Sequence, residues 1–220
     1  MRINKYVALA TGMSRRAADM AIDEHRVEVN GAAAATGYDV QTADTVLLDG
    51  KPIVATANLL TIRLHKPVGY VCSRNGQGSQ TIYDLLPREY HHLKPVGRLD
   101  KASSGLLLLT NDGQLAQQLT HPSHRKTKIY EVTLDQPLQP LHRQMINDHG
   151  VLLEDGVSKL ALARQHDNDE TRWVVTMHEG RNRQIRRTFA SLGYTVTQLH
   201  RTQFGNYTLG NLAAGDYQPA

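Results

Sequence analysis

The chain has a single cysteine, Cys72, in 220 residues. That excludes an intramolecular disulfide and any zinc cluster built on cysteines. Aromatic residues are sparse, with one Trp, two Phe and nine Tyr. No run approaches the roughly 20 apolar residues that span a bilayer. The opening Met1-Arg2-Ile3-Asn4-Lys5-Tyr6 has neither an apolar signal core nor a small-residue cleavage site. These absences lead to the expectation of a cytoplasmic protein with no membrane partner. Two histidine pairs, His91-His92 and His121 with His124, lack a carboxylate or cysteine to complete a ligand set, so no metal is expected. No cofactor motif is present, and no cofactor is expected.

What is present is enough apolar material for a core, 40% of residues, and an ordinary 21% of charged ones. The net charge of +4 is mild, but the cations are segregated. Arg2, Lys5, Arg15 and Arg16 open the chain with no acid among them. Arg181, Arg183, Arg186, Arg187 and Arg201 are likewise unopposed between Gly180 and Gly215, whereas Asp135 to Glu170 is mostly acidic. Segregated positive patches suit a polyanion, whose condensed counterions Lys and Arg displace. A pair of solvated helix faces accounts for the same charges equally well.

Ile3, Tyr6, Val7 and Ala10 fall at helical spacing over residues 2–10, and Gly12 stops the pattern. Ser14 can cap a second helix to about His25, with Ala17, Ala18, Ala21 and Ile22 on one face. Val27-Glu28-Val29 alternates into the tight-turn pair Asn30-Gly31, and Thr45–Leu48 reads as a strand before Asp49-Gly50. Residues 1–54 therefore form a small α+β unit, and 55–59 read as a linker. Ile3-Asn4-Lys5-Tyr6, Ser14-Arg15-Arg16-Ala17-Ala18 and Val27-Glu28-Val29-Asn30-Gly31 together resemble an S4 domain, an RNA-binding module. The resemblance implies that Arg2, Lys5, Arg15 and Arg16 meet RNA. Ala32–Ala35 stands where that family often has a Lys.

From Leu60 the pattern changes. Leu60–Leu64 and Tyr70-Val71-Cys72 are strand-like, and Ile82–Leu86 suits a short helix. Leu106–Leu109 is a continuous apolar run, the mark of a strand buried on both faces. Gln114–Leu119 begins a helix, Ile129–Leu134 and Trp173–His178 alternate as strands, and Ile185, Phe189 and Leu192 share a helix face that Gly193 ends. Strands and helices without regular βαβ alternation indicate an α+β domain over 60–220, with a mixed, largely antiparallel sheet and flanking helices.

Gly97-Arg98-Leu99-Asp100 delivers a carboxylate to the start of the Leu106–Leu109 strand through a glycine-containing loop. Alone, Asp100 is better explained as a turn cap. The whole string from Gly97 to Gly113, GRLDKASSGLLLLTNDG, closely resembles the central motif of pseudouridine synthases. The RsuA-type branch, which modifies ribosomal RNA and carries an S4 domain, is the best match. Leu64-His65-Lys66-Pro67-Val68-Gly69-Tyr70 resembles its opening motif, with His65 in place of the usual residue. Glu179-Gly180-Arg181-Asn182-Arg183-Gln184-Ile185-Arg186-Arg187 resembles its late motif.

The resemblance implies the following roles. Asp100 is the essential aspartate, and Tyr130, in Lys126–Val132, is the ring that stacks on the target uracil. Arg186 ion-pairs with the aspartate, Ile185 packs beneath the tyrosine, and Arg98 fills the space left by a flipped base. Lys66, Lys101, Arg181, Arg183 and Arg187 are expected to touch RNA. The implied reaction breaks the N-glycosidic bond of uridine, turns the uracil and joins C5 to C1′. A carboxylate serves it as a nucleophile at C1′ or a base at C2′. Asp112, in Asn-Asp-Gly, reads as a turn or a helix cap, not as the second carboxylate of a glycosidase.

The expected partner is ribosomal RNA, naked or in precursor particles, acted on by a monomer. Gly150–Gly156 looks more like the large-subunit RNA enzymes of the branch than the small-subunit one. Two rival readings fare worse. A non-catalytic S4-type ribosome-assembly protein predicts a degraded Gly97–Asp100 or Arg186, and both are intact. A hydrolytic glycosidase needs a second poised carboxylate and has no use for an RNA module.

Overall fold

The computed structural model describes residues 1–55 and 59–220, so residues 56–58 of the expected linker lie outside the described residues. The chain divides into two units, Met1–Leu59 and Leu60–Ala220.

In the first unit, α1 (Ile3–Thr11) ends at Gly12, which takes φ +76° and returns its N–H to the Ala8 carbonyl. Only a residue tolerant of positive φ closes a helix in this way. Ser14 accepts from the Ala17 N–H and starts α2 (Arg15–Asp23), two residues shorter than the sequence implies. β1 (Val27–Val29), β2 (Ala32–Ala33), β3 (Val46–Leu48) and β4 (Lys51–Ile53) form a sheet in the order β2-β1-β3-β4. Asn30-Gly31 and Asp49-Gly50 all have positive φ, as two-residue hairpin turns require. Ile3 and Val7 of α1 join Ala18, Ala21 and Ile22 of α2 over Val27, Val29 and Val46 in one buried core.

The second unit runs β5 (Thr61–Lys66), β6 (Lys94–Pro95), β7 (Ser104–Thr110), α3 (Gly113–Thr120), β8 (Lys128–Leu134), α4 (Pro140–Gln144), β9 (Val151–Leu153), β10 (Gly156–Ser158), β11 (Ala161–His166), β12 (Asp169–Met177), α5 (Gln184–Ala190), β13 (Val196–Phe204), β14 (Tyr207–Thr208) and β15 (Tyr217–Pro219). Its main sheet follows the order β11-β12-β8-β13-β7-β5-β15, with β14 on β13 and β6 on β7. Every pairing is antiparallel except β13 with β7. The α+β expectation of a mixed, largely antiparallel sheet therefore holds for this unit. β9 and β10 make a separate hairpin.

Both faces of the sheet are covered, which is why β7 is a run of leucines. Leu107 and Leu109 join the core with Tyr130, Trp173, Ile185 and Phe189. Leu106 and Leu108 face the other way, against Leu119 and Phe204. Asp112 caps α3 by accepting from Gln114 N–H and Leu115 N–H, as its turn context implies. Tyr70-Val71-Cys72 is not a strand: Val71 makes only an isolated bridge to Thr81. Gly69 at φ +98° turns the backbone away from an extended run, and Cys72 is held by Leu99 instead of a ladder.

Candidate active site

Asp100 lies on the turn that feeds β7, and the bonds around it grip backbone. Lys66 Nζ donates to the carbonyls of Pro67 (3.0 Å), Asp100 (3.0 Å) and Ser103 (2.6 Å). Ser103 N–H also reaches the Asp100 carbonyl at 3.0 Å, and Gly69 N–H the Lys101 carbonyl at 2.8 Å. Leu99 is buried, with Cys72 Sγ 3.4 Å from both its N and its O. A turn clamped this way points its carboxylate with little freedom, which is what preorganisation asks of a supporting shell. Among the described residues, the carboxylate itself meets only Arg183, whose Nη1 is 3.9 Å from Oδ2. Its side chain is 34% exposed and forms part of the wall of a cavity of about 690 Å³.

The cavity brings the expected residues together unevenly. Tyr130, on β8, and Ile185, in the first turn of α5, are both buried in the same core cluster and both line it. Arg98 and Lys101 also line it; Arg98 is exposed, and Lys101 Nζ donates to Ser79 Oγ at 3.0 Å.

Two expectations need correction. Arg186 forms no ion pair with Asp100. Its Nη1 donates to the Val196 carbonyl (2.7 Å) and its Nη2 to the Ala102 carbonyl (2.9 Å), tying α5 to β13 and to the Asp100 turn. Arg183 is the cation on the carboxylate, presented from a left-handed backbone (φ +46°) just before α5. Such a conformation costs a non-glycine residue on the order of 1–3 kcal/mol and is retained where the surroundings over-determine it. Burial, and then Arg183, lower the Arg186 pKa from the ordinary arginine value, while Asp100 opposes the shift.

Lys66 is not an RNA contact either, because it is 0% exposed. Burial lowers its pKa, opposed by Cys72 and Asp100. Arg181 and Arg187 are committed to the β9–β10 hairpin. Arg181 donates to the carbonyls of Asp155, Gly156 and Val157 and to the Asp155 carboxylate, and Arg187 Nη2 lies 2.7 Å from Asp155 Oδ2. The Arg187 hydrogen bond is the main reason Asp155 titrates below the usual carboxylate range.

In the first unit Arg2 is also engaged, donating to the Gly37 carbonyl and lying 3.4 Å from Asp39. Arg15 Nη2 donates to Asn4 Oδ1 at 3.1 Å. Lys5 and Arg16 form no ion pair among the described residues.

Sequence reasoning counted Arg201 in the second basic patch and read His121–Lys128 as a basic RNA-facing loop, but missed that Lys128 and Arg201 are cations of the cavity wall. Lys128 was within reach of a period-two reading, since it lies two residues before Tyr130 on the same strand face. Arg201 sits on β13, where Gln198, His200, Arg201 and Gln203 break the apolar alternation that marks a strand.

Comparison with known proteins adds to this geometry. Residues 61–191 match the family model described as RNA pseudouridylate synthase. The chain belongs to this family. It is 38% identical over 219 residues to the ribosomal large subunit pseudouridine synthase B of Xanthomonas campestris pv. campestris, covering 94% of this chain but 44% of that protein. It is 34% identical over 221 residues to the ribosomal small subunit pseudouridine synthase A of Pasteurella multocida, covering 99% of this chain and 95% of the relative. Among solved structures, a pseudouridylate synthase crystal structure superposes with a TM-score of 0.70 at 30% identity, covering 100% of this chain and 96% of the other. The Asp100 turn, Tyr130 and Ile185 all fall inside the span matched to the pseudouridylate synthases.

Proposed function

We propose that this chain isomerises uridine to pseudouridine in ribosomal RNA, with Asp100 as the essential carboxylate. One observation carries the reading: a carboxylate on a backbone-clamped turn, met only by Arg183 among the described residues, shares a cavity with an inward-facing tyrosine and an excess of cations. The N1–C1′ bond of uridine breaks, the uracil turns, C5 bonds to C1′, the C5 proton leaves to solvent and N1 takes up a proton in its place. Substrate and product are isomers, so nothing else is consumed. The Asp100 carboxylate acts as nucleophile or as base, with Arg183 Nη1 3.9 Å from its Oδ2. The target base must leave its stack at a cost of a few kcal/mol, offset in part by about 1–3 kcal/mol of stacking on Tyr130. Ile185 supports that ring from the core, and the exposed Arg98 suits the place the base leaves.

The first unit acts in this reading as an S4 module, with Lys5, Arg15 and Arg16 toward RNA. Large-subunit RNA is the substrate favoured by Gly150–Gly156. In the structure that stretch builds the β9–β10 hairpin, which Arg181 ties to the cavity wall, where it can meet the RNA around the target. Mapping pseudouridines in both ribosomal RNAs of a strain lacking this gene tests the reading. Loss of one pseudouridine from large-subunit RNA is expected, and an intact set in both RNAs would contradict it.

A further inference from the structure

Among the described residues, four buried side-chain nitrogens have no hydrogen-bond partner: Nε of Arg63, Arg181 and Arg186, and Nη2 of Arg201. The first three belong to guanidiniums whose terminal nitrogens are bonded to carbonyls. Arg201 is reversed. Its Nε donates to the Leu106 carbonyl at 2.8 Å, and a terminal nitrogen, the end that pairs with anions, is left over. The side chain is 2% exposed and forms part of the cavity wall. Its backbone is fixed as well, since a Cβ at Gly105 would come within 2.2 Å of the Arg201 carbonyl oxygen.

Lys128 stands beside it. Lys128 Nζ and the Arg201 guanidinium approach the Phe204 ring at 5.2 and 4.9 Å from its centroid. Lys128 Nζ also donates to the Glu179 backbone carbonyl at 3.3 Å, a bond that leaves its charge unneutralised. Burial, and then Arg201, lower the Lys128 pKa against a smaller opposing pull from Glu179, so the two cations oppose each other. Neither has a carboxylate within ion-pair distance among the described residues. The two acids of the cavity are already engaged, Glu179 by Arg181 and Asp100 by Arg183. A buried, unpaired charge is expensive. The buried Arg201, with the half-buried Lys128 beside it at the wall of a cavity, calls for an anion from outside.

We propose that Lys128 and Arg201 form an anion subsite that holds one backbone phosphate of the RNA beside the target uridine. This rests on the reading above that RNA enters the cavity. A guanidinium and an ammonium together suit a phosphate, and a neutral base carbonyl would leave their charge uncompensated. The subsite adjoins the expected base platform, because Tyr130 is the cross-strand partner of Arg201 and lies two residues from Lys128 on β8. A phosphate held there fixes the register of the nucleotide without reading sequence.

The test uses the full chain and transcribed ribosomal RNAs of both subunits, with affinity measured against salt. One bound phosphate contributes roughly 0.7–0.9 to the slope of log K against log salt. The Lys128→Met, Arg201→Met double variant is expected to flatten the slope by about that amount, with Lys128→Met flattening it in the same direction. The wild-type advantage over the double variant then shrinks about threefold between 50 and 200 mM salt. Thermal melting establishes that each variant is folded. If Arg201→Met does not fold, Lys128→Met on its partly exposed strand end carries the test. A wild-type slope in the variants overturns the proposal, including the case where affinity drops without a change of slope, which would mark a neutral interaction. A flattening of about twice that amount overturns it too, since that describes two separate phosphates. The measurement needs no turnover, so an RNA that binds but is never isomerised would defeat the functional reading and leave the subsite standing.

Discussion

Lys66 is a cation with no exposed surface, and its three carbonyl partners explain both how it is tolerated and what it is for. Two of those carbonyls belong to Asp100 and Ser103, so the ammonium fixes the turn that aims the Asp100 carboxylate. Replacing Lys66 with Met leaves the carbonyls without their donor, at about 1–3 kcal/mol for each group left unsatisfied. We expect a clearly lower melting temperature and a fall in kcat larger than any change in KM. An unchanged melting curve with normal kcat would show that the clamp is dispensable. The Lys-Pro motif was visible in the sequence, but its meaning was not. A lysine next to a turn-forming proline reads as a surface cation, and only the packing of β5 against β7 reveals that its face is inward. The same holds for Arg183 and Arg186. The arginine-rich string was legible, whereas the choice of which arginine meets Asp100 depends on the left-handed backbone at Arg183.

Strands β5, β7 and β13 bring His65 and His200 together, with ring centroids 5.2 Å apart and Ser104 Oγ 2.8 Å from His200 Nδ1. Burial, and then His65, push the His200 pKa below its ordinary value, against a smaller opposing pull from Glu131. The folded state therefore prefers the neutral ring. That preference contributes stability in full above the unfolded value of about 6.5, and the contribution is lost as pH falls through the lower folded value. An NMR titration of the His200 ring is expected to give a midpoint below 6.5, with melting temperature falling over the same range. A midpoint at or above about 6.5 would contradict the buried pairing. At this scale the sequence was most informative where periodicity is clean. The leucine run of β7, the alternation of β8, the start of α3 and the apolar face of α5 were all readable. β13, at the centre of the sheet, was not, because Arg201 at the cavity and His200 in the histidine pair interrupt its apolar signal. Function and legibility conflict on that strand.

The division into two units near residue 59 follows the shift from helical spacing to strand runs, and each unit has its own buried core. Residues 60–220 alone are therefore expected to fold with a cooperative melt. They should bind ribosomal RNA more weakly than the full chain and with a flatter salt dependence, by roughly 0.7–0.9 for each phosphate that the first unit would have held. Equal affinity and slope for the two proteins would show that the first unit does not grip RNA. Whether the Asp100 carboxylate performs the isomerisation is read directly by release of tritium from C5-labelled uridine in ribosomal RNA. Asp100→Asn keeps the shape of the side chain and removes its charge. This variant is expected to bind RNA as the wild type does yet release no tritium above background; release within tenfold of the wild-type rate would contradict the role proposed for Asp100.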